Sequence, residues 1–433
     1  MASLTSEETE RPPGLPDRPG VFDRLGPRLA VLLAVALVVF LRVPEILLEG
    51  RFWAEGGTVY FQAAVHNPWA ETFFGPFGGY YSLLNRLGAE AATWVPLEAA
   101  PLVTGYLSFA ALLLPSLMIL FLPNRLGILG WRRCLLGALI AFPTMGAEVW
   151  LNLVNNQFWL GVAAGLVLMI DTRERWTIWF LAPVLVIAVL TGPVATFLLP
   201  FFLLMAVIEK DRTFIRLTLI VCAGALLQGF LMFDTISGDH PRTGLAQLPA
   251  QVFAGQMKLF LYPFLAEHAA AVFDAAKRAD IALLGAALAA SLAIAAFCFW
   301  HALSLPRPQG LLLFASIFVV SGLSLVGSIG FPLDDWSVFL HVISGGRYFL
   351  YGNLILLVLL MAPSLGKGSR VKNLAALVLV ALFINSAQWS YFHARWAGPS
   401  WPDEVEAWRQ DPERPIRIWP KGWVLELDPE KVR

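Results

Sequence analysis

Charge, cysteine and the usual signatures of nucleotide chemistry are all scarce in this chain, and each shortage removes a class of function. Only 14% of the 433 residues are Asp, Glu, Lys or Arg, and they cancel to a formal net charge of zero. A nucleic-acid partner, which needs a concentrated basic face, is not expected. The three cysteines, Cys134, Cys222 and Cys298, sit in or beside apolar runs without metal or redox spacing, so they read as small core residues. No Walker-type loop, dinucleotide fingerprint or His-x-x-x-His pair is present. No cofactor is expected, and a substrate should arrive from the bilayer or the outer face rather than on a cytoplasmic nucleotide. An obvious internal repeat is also lacking, which weighs against transporters built from duplicated halves.

Hydrocarbon is what the chain has instead. Apolar residues make up 58% of it and the mean hydropathy is +0.66, the composition of an all-α polytopic membrane protein. A helix needs about 20 mostly apolar residues to cross the bilayer. Eleven runs qualify as candidate spans, at 29–47, 101–122, 133–147, 157–171, 176–191, 194–208, 213–233, 280–301, 310–329, 347–363 and 373–391. The third to sixth are short, so tilt or merging changes the count by about one or two. The polar lead over residues 1–28 is too long for a cleaved signal peptide, and no small-residue cleavage site follows Leu41.

Orientation follows from Lys and Arg near span ends. Short segments dense in them (Arg24 and Arg28; Arg125, Arg132 and Arg133; Lys210, Arg212 and Arg216; Arg370 and Lys372) alternate with longer loops in which they are diluted. The pattern predicts a cytoplasmic segment over 1–28, a transmembrane domain over 29–391 and a C-terminus on the periplasmic or extracellular side. Periplasmic loops then fall at 48–100 and 234–279. The tail over 392–433 is rich in Trp and Pro, too aromatic to be disordered, and is expected to cap the periplasmic face.

The outer segments carry the chemistry. The first loop opens on Arg51-Phe52-Trp53-Ala54-Glu55-Gly56-Gly57. Glu55, partly desolvated beside Trp53 and two glycines that admit a ligand to the backbone, is a candidate general base; the alternative is a carboxylate paired with Arg51 at the headgroup level. Val59, Tyr60, Ala63 and Ala64 share a helical face, which predicts an amphipathic helix on the membrane surface. Gly75 to Tyr81 breaks it, and Ser82 to Leu87 begins another. Tyr80 and Tyr81 suit a sugar or a lipid headgroup, and equally the interfacial aromatic belt.

Further along, Glu148, Asn152, Asn155, Asn156 and Gln157 crowd the mouth between two spans. Polar groups there are costly unless they face protein, water or substrate. They either hold sugar hydroxyls or cap the helix ends. Thr191-Gly192-Pro193 reads as a tight turn on the same side. Arg347, behind Gly345-Gly346 at the entrance to the tenth span, is a candidate phosphate ligand through its forked guanidinium, the alternative being a snorkelling interfacial residue. Asp334-Asp335 gives only a weak divalent-cation signal, since no third carboxylate follows at ligand spacing, and no metal is assigned. The loop over 234–279 has Asp234, Asp239, His240 and Arg242 near its start. Its amphipathic stretch from Ala250 to Phe264 is expected to lie on the surface over the site.

In chain order these features resemble the membrane-embedded glycosyltransferases of the C type, which take sugar from a polyprenyl phosphate. Trp53-Ala54-Glu55-Gly56-Gly57, Asn152 to Trp159, Gly345-Gly346-Arg347-Tyr348-Phe349 and Pro420-Lys421-Gly422-Trp423 are similar to uncharacterised bacterial multi-span members thought to decorate surface glycans. The resemblance implies Glu55 as base and Arg347 as ligand of the lipid phosphate. Trp53, Tyr80, Tyr81, Glu148, Asn152, Asn155, Asn156, Gln157 and Tyr348 are the candidate substrate-binding residues around them. The implied partners are a polyprenyl-phosphate sugar donor, a glycan or lipid acceptor, and the membrane lipids. Where those relatives read Trp-Ala-Glu-Asp-Gly, this chain has Gly56 in place of Asp. If that Asp is the base in the relatives, Glu55 substitutes for it here or the chain is inactive. The expected activity is inverting sugar transfer on the outer face. The competing reading is a flippase or transporter of a lipid-linked saccharide, which would use the same polar mouth without chemistry.

Overall fold

The computed structural model describes residues 20–174, 176–236, 248–328, 336–342, 344–365 and 368–432, and each of the eleven apolar runs holds a helix. The helices used below are α1 Leu25–Arg42, α2 Leu83–Ala92, α3 Ala100–Phe121, α4 Gly130–Leu139, α5 Asn156–Val167, α6 Thr177–Leu190, α7 Leu199–Glu209, α8 Arg212–Ile236, α9 Leu248–Phe260, α10 Ile281–Ala302, α11 Gln309–Ser328, α12 Leu350–Met361, α13 Ser369–His393 and α14 Trp401–Gln410. The expected eleven spans are not all long enough. Among the described residues six helices, α1, α3, α8, α10, α11 and α13, have the length and apolarity to cross a membrane. Helices α4 to α7 and α12 have 10 to 14 residues, about 15–21 Å at the helical rise against about 30 Å of hydrocarbon. Polar and proline-bearing turns cut them short: α5 begins only after the amide cluster, and α6 stops at Thr191-Gly192-Pro193, where Pro cannot continue a helix.

The long helices turn apolar side chains outward. On α1, Leu29, Leu33, Leu37 and Leu41 recur every four residues and are all exposed, as are Leu219, Leu226 and Phe230 on α8. Water would penalise such stripes; a bilayer does not, and the chain is a multi-pass membrane protein. By contrast every residue of α5 and of α12 is buried. Those two helices touch and form the centre, α5 also meeting α3 and α6, and α12 meeting α11 and α13.

Helix ends sort into two groups. At one end the Asp23 carboxylate accepts from the Gly130 amide (3.1 Å) and Arg132 donates to the Met361 carbonyl (3.1 Å), gathering the starts of α1 and α4 with the end of α12. At the other, Arg42 closes α1 by donating to the Ser390 and Ala394 carbonyls at the end of α13 (both 2.9 Å).

The first long loop forms short helices where they were expected. A wide π-helical turn at Gly56–Phe61 runs into Gln62–His66, Trp69–Phe74 follows, and α2 begins after a break. The tail contributes α14 and an antiparallel hairpin of β1 Ile416–Ile418 with β2 Trp423–Leu425. These share one apolar cluster with the loop, in which Phe52, Phe61 and Leu97 meet Trp401, Val405, Ile416 and Leu425. The Ala250 to Phe264 stretch departs from expectation. Instead of lying on the surface, α9 buries Gln251, Ala254, Met257, Lys258 and Phe260 and packs against α10 and α12. The side chain of Asp234, and Asp239, His240, Arg242, Asp334 and Asp335 altogether, lie outside the described residues.

Candidate functional site

Trp53 is fastened by the tail. The Trp419 amide donates to the Phe52 carbonyl (3.1 Å), the Ala54 amide donates to the Trp419 carbonyl (2.5 Å), and the Trp53 ring meets the edge of Trp396. So held, the chain turns through Ala54 at φ +42°, a left-handed conformation that costs a non-glycine residue about 1–3 kcal/mol. The turn delivers Glu55 to the wall of a cavity of about 380 Å³, within the range of small-molecule sites.

The same cavity collects Tyr80, Asn155, Gln157, Arg347 and Tyr348. Tyr60, read from sequence only as part of a helix face, lines it too, and burial pushes its phenol well above the usual range. Gln157 donates to the Tyr80 hydroxyl (3.4 Å), while its own Oε1 is buried against Gly192 without a hydrogen-bond partner. Pro193 of the Thr191 turn lines the cavity beside it, as expected from the turn's placement. The remaining lining is mostly apolar and includes Met232 of α8 and Leu323 and Val326 of α11, with Ser324 of α11 between these two, and Phe158, Val194 and Phe197 from the shorter segments.

Arg347 donates to the Tyr348 hydroxyl (2.8 Å) and lies over its ring. Burial works against the charge, and the Tyr348 hydroxyl, Glu148 and Glu55 outweigh it, holding the guanidinium above its ordinary value. The two preceding glycines have separate uses. Gly345 takes φ +65°, and a Cβ on Gly346 would lie 2.5 Å from the Met145 carbonyl oxygen. Glu148 Oε1 accepts from the Gly345 amide (3.3 Å), so this carboxylate fixes the loop behind Arg347 rather than facing the cavity.

Several candidates are used inside the protein. Asn152 and Asn155 both donate to the Glu148 carbonyl (2.5 and 2.7 Å), and the Asn155 amide donates to Asn152 Oδ1 (3.0 Å), so these amides close a short turn, while the Asn155 side chain makes no capping bond to α5. Asn156 reaches Ser108 of α3 instead (3.3 Å). Gln228 of α8 brackets the Tyr81 backbone (both 3.0 Å), so Tyr81 anchors its loop. Arg51 does not pair with Glu55: it donates to the Trp150 carbonyl (2.7 Å) and lies between the rings of Trp53 and Trp419, 4.7 Å from each centroid. At Gly56 a Cβ would come 3.2 Å from Val154, so an Asp there would require Val154 to yield.

Lys258 had no sequence signal. It is 1% exposed and donates to the carbonyls of His341 (2.9 Å) and Ser344, bracing the loop that leads to Arg347. Burial lowers its pKa to about 7, with Glu148 pulling the other way. A Lys inside an amphipathic stretch reads as solvated, and its partners lie more than 80 residues downstream. Among the described residues no group of His, Cys, Asp or Glu gathers as a metal site. Compared with known proteins, the chain matches no family model, no curated protein and no solved structure.

Proposed function

We propose that this protein is a C-type glycosyltransferase of the bacterial inner membrane. It takes a sugar from a polyprenyl-phosphate donor and transfers it to a cell-envelope glycan or lipid acceptor on the outer face. The observation that carries the reading is the mixed lining of the cavity. A carboxylate, amides and a guanidinium share it with apolar side chains, among them Met232 of α8 and Leu323 and Val326 of α11. A polyprenyl-phosphate sugar has both parts, with an isoprenoid chain that gains roughly 25 cal/mol per Å² on leaving water and a charged head that needs partners. The short helices α4 to α7 and α12 then belong to the membrane domain as partial or tilted crossings among the eleven segments.

Arg347 holds the donor phosphate through its fork and stabilises it as leaving group. Glu55 takes the proton from an acceptor hydroxyl that Gln157, Asn155 and Tyr80 orient. The acceptor oxygen bonds to the anomeric carbon from the face opposite the phosphate, the carbon–phosphate oxygen bond breaks, and the configuration inverts. A phosphate that leaves already charged needs no general acid.

The orientation rests on charge. Arg24, Arg28, Arg132, Arg133 and Lys372 belong to the end of the bundle where α1 starts, and the positive-inside rule puts that end in the cytoplasm. Glu55 and Arg347 then open to the periplasm with the tail.

The test is to incubate purified protein with a panel of polyprenyl-phosphate sugars and an acceptor extract, following released polyprenyl phosphate. Release with sugar incorporation supports transfer. Donor binding without release points to a flippase, and neither defeats the proposal.

A further inference from the structure

Away from the cavity, three arginines meet at the end of the bundle where α1 and α13 finish. Arg42 closes α1, Arg395 follows α13, and Arg51 comes from the first loop. They line a narrow cleft with Trp150, Trp396 and Trp419. Among the described residues none of the three forms an ion pair. Arg42 and Arg395 spend their hydrogen bonds on backbone carbonyls at the helix ends. Arg51 is the least satisfied. It is 7% exposed, and only one of its nitrogens has a partner, leaving Nε and Nη1 buried and unbonded. Burial accordingly depresses its pKa to about 9.

Buried cations normally have a carboxylate or an equivalent set of acceptors, and each like charge added nearby raises the cost. Stacking on tryptophan faces offsets part of it but supplies no acceptor for an N–H. An anion supplies both charge and acceptors. We propose that Arg42, Arg51 and Arg395 form an anion site for a phosphate group, separate from the cavity that holds Glu55 and Arg347. Guanidinium forks match phosphate oxygens. The cleft holds about 10 Å³, room for a single oxygen. One phosphate oxygen enters and the rest of the ligand stays outside. That geometry suits a lipid headgroup, since the site lies where two spans end, the depth at which headgroups sit. Free phosphate shares the chemistry. The inference does not depend on the glycosyltransferase reading.

The test uses the full chain in nanodiscs of phosphatidylcholine doped with phosphatidylglycerol, with retained lipid read by native mass spectrometry. Phosphatidylglycerol should be retained about fivefold or more over phosphatidylcholine, and Arg51→Gln and Arg395→Gln should each remove most of that preference. Arg395 is exposed, so its variant should fold even where Arg51→Gln does not. Arg347→Gln should leave the preference intact. In a second arm, detergent-solubilised protein is melted with and without millimolar inorganic phosphate. Protection by phosphate that is lost in Arg395→Gln, with no lipid preference, assigns the site to free phosphate. The proposal is overturned if neither probe binds selectively, or if Arg347→Gln abolishes the preference while Arg395→Gln keeps it.

Discussion

The Ala54 amide donates to the carbonyl of Trp419, joining the residue before Glu55 to the far end of the chain. Position at an active centre is set by such remote fastenings, and a displacement of about 1 Å can cost on the order of 10²-fold in rate. Trp419 also stacks on Arg51 and donates its indole N–H to Pro399 (2.9 Å).

Trp419→Ala should therefore loosen the tail and lower transfer about 10–100-fold with the spans still folded. Limited proteolysis reads the first effect, as faster cleavage within 396–432, and donor turnover the second. Unchanged turnover with a freely cleaved tail would show that Glu55 is held without the cap.

Much of the fold was legible because apolar runs in a membrane protein leave few alternatives to helix. Leu29 to Leu41 and Leu219 to Phe230 fall in runs read as spans, and their exposed stripes became apparent only in the structure. The number of full crossings was not legible in the sequence. The run at 157–171 is as apolar as a span, yet α5 is twelve residues long and wholly buried, and burial against protein and burial against lipid select the same residue types. At the site, Glu55, Gln157 and Arg347 were visible as polar residues where polarity is costly. Lys258 and the stacking of Arg51 between Trp53 and Trp419 were invisible, because their partners come from elements far apart in the chain.

Topology can be checked without any substrate. A reporter fused after Arg433 should score periplasmic, and one inserted between α12 and α13 should score cytoplasmic, since the basic residues cluster there and at the start of α1. The reverse pattern would place Glu55 and Arg347 in the cytoplasm and remove the basis for an outer-face reaction.

Lys258 gives a stability signature. Its pKa falls from 10.5 to about 7 through burial, against the pull of Glu148. Between those values the unfolded chain holds a proton that the native chain lacks, so this group makes stability rise with pH from about 7 to about 10.5 and contributes no slope below about 7. His341, also depressed by burial and by Lys258 and Lys277, adds its rise below 6.5 and does not confuse the window. Melting temperatures of the wild type and Lys258→Met between pH 7.5 and 9.5 should diverge in slope, the variant being flatter. Parallel slopes would mean that Lys258 titrates normally.

Arg347→Lys keeps the charge and loses the fork that matches two phosphate oxygens. Donor affinity should weaken by about tenfold or more, read as a raised KM for the polyprenyl-phosphate sugar. A snorkelling interfacial arginine would tolerate the exchange, so near-normal kinetics would take Arg347 out of the site.

In the proposed transfer, Glu55 is the group on which the chemistry turns. It faces the cavity beside Tyr80 and Gln157, and Arg51, its expected structural partner, is engaged with Trp150 and two tryptophan rings instead. Glu55→Gln keeps size and hydrogen-bonding capacity while removing basicity, and a positioned base contributes about 10²–10⁴-fold. Turnover should fall by that order while the donor still binds and the melting temperature holds, because among the described residues Glu55 forms no ion pair. Retained activity would remove Glu55 as the proton acceptor, and Glu148, which acts electrostatically on Arg347 from behind its loop, would have to turn toward the cavity to replace it. Donor binding lost together with turnover would instead make Glu55 a partner of Arg347, whose charge it supports, and the double variant Glu55→Gln with Arg347→Lys would then lose no more than either single change.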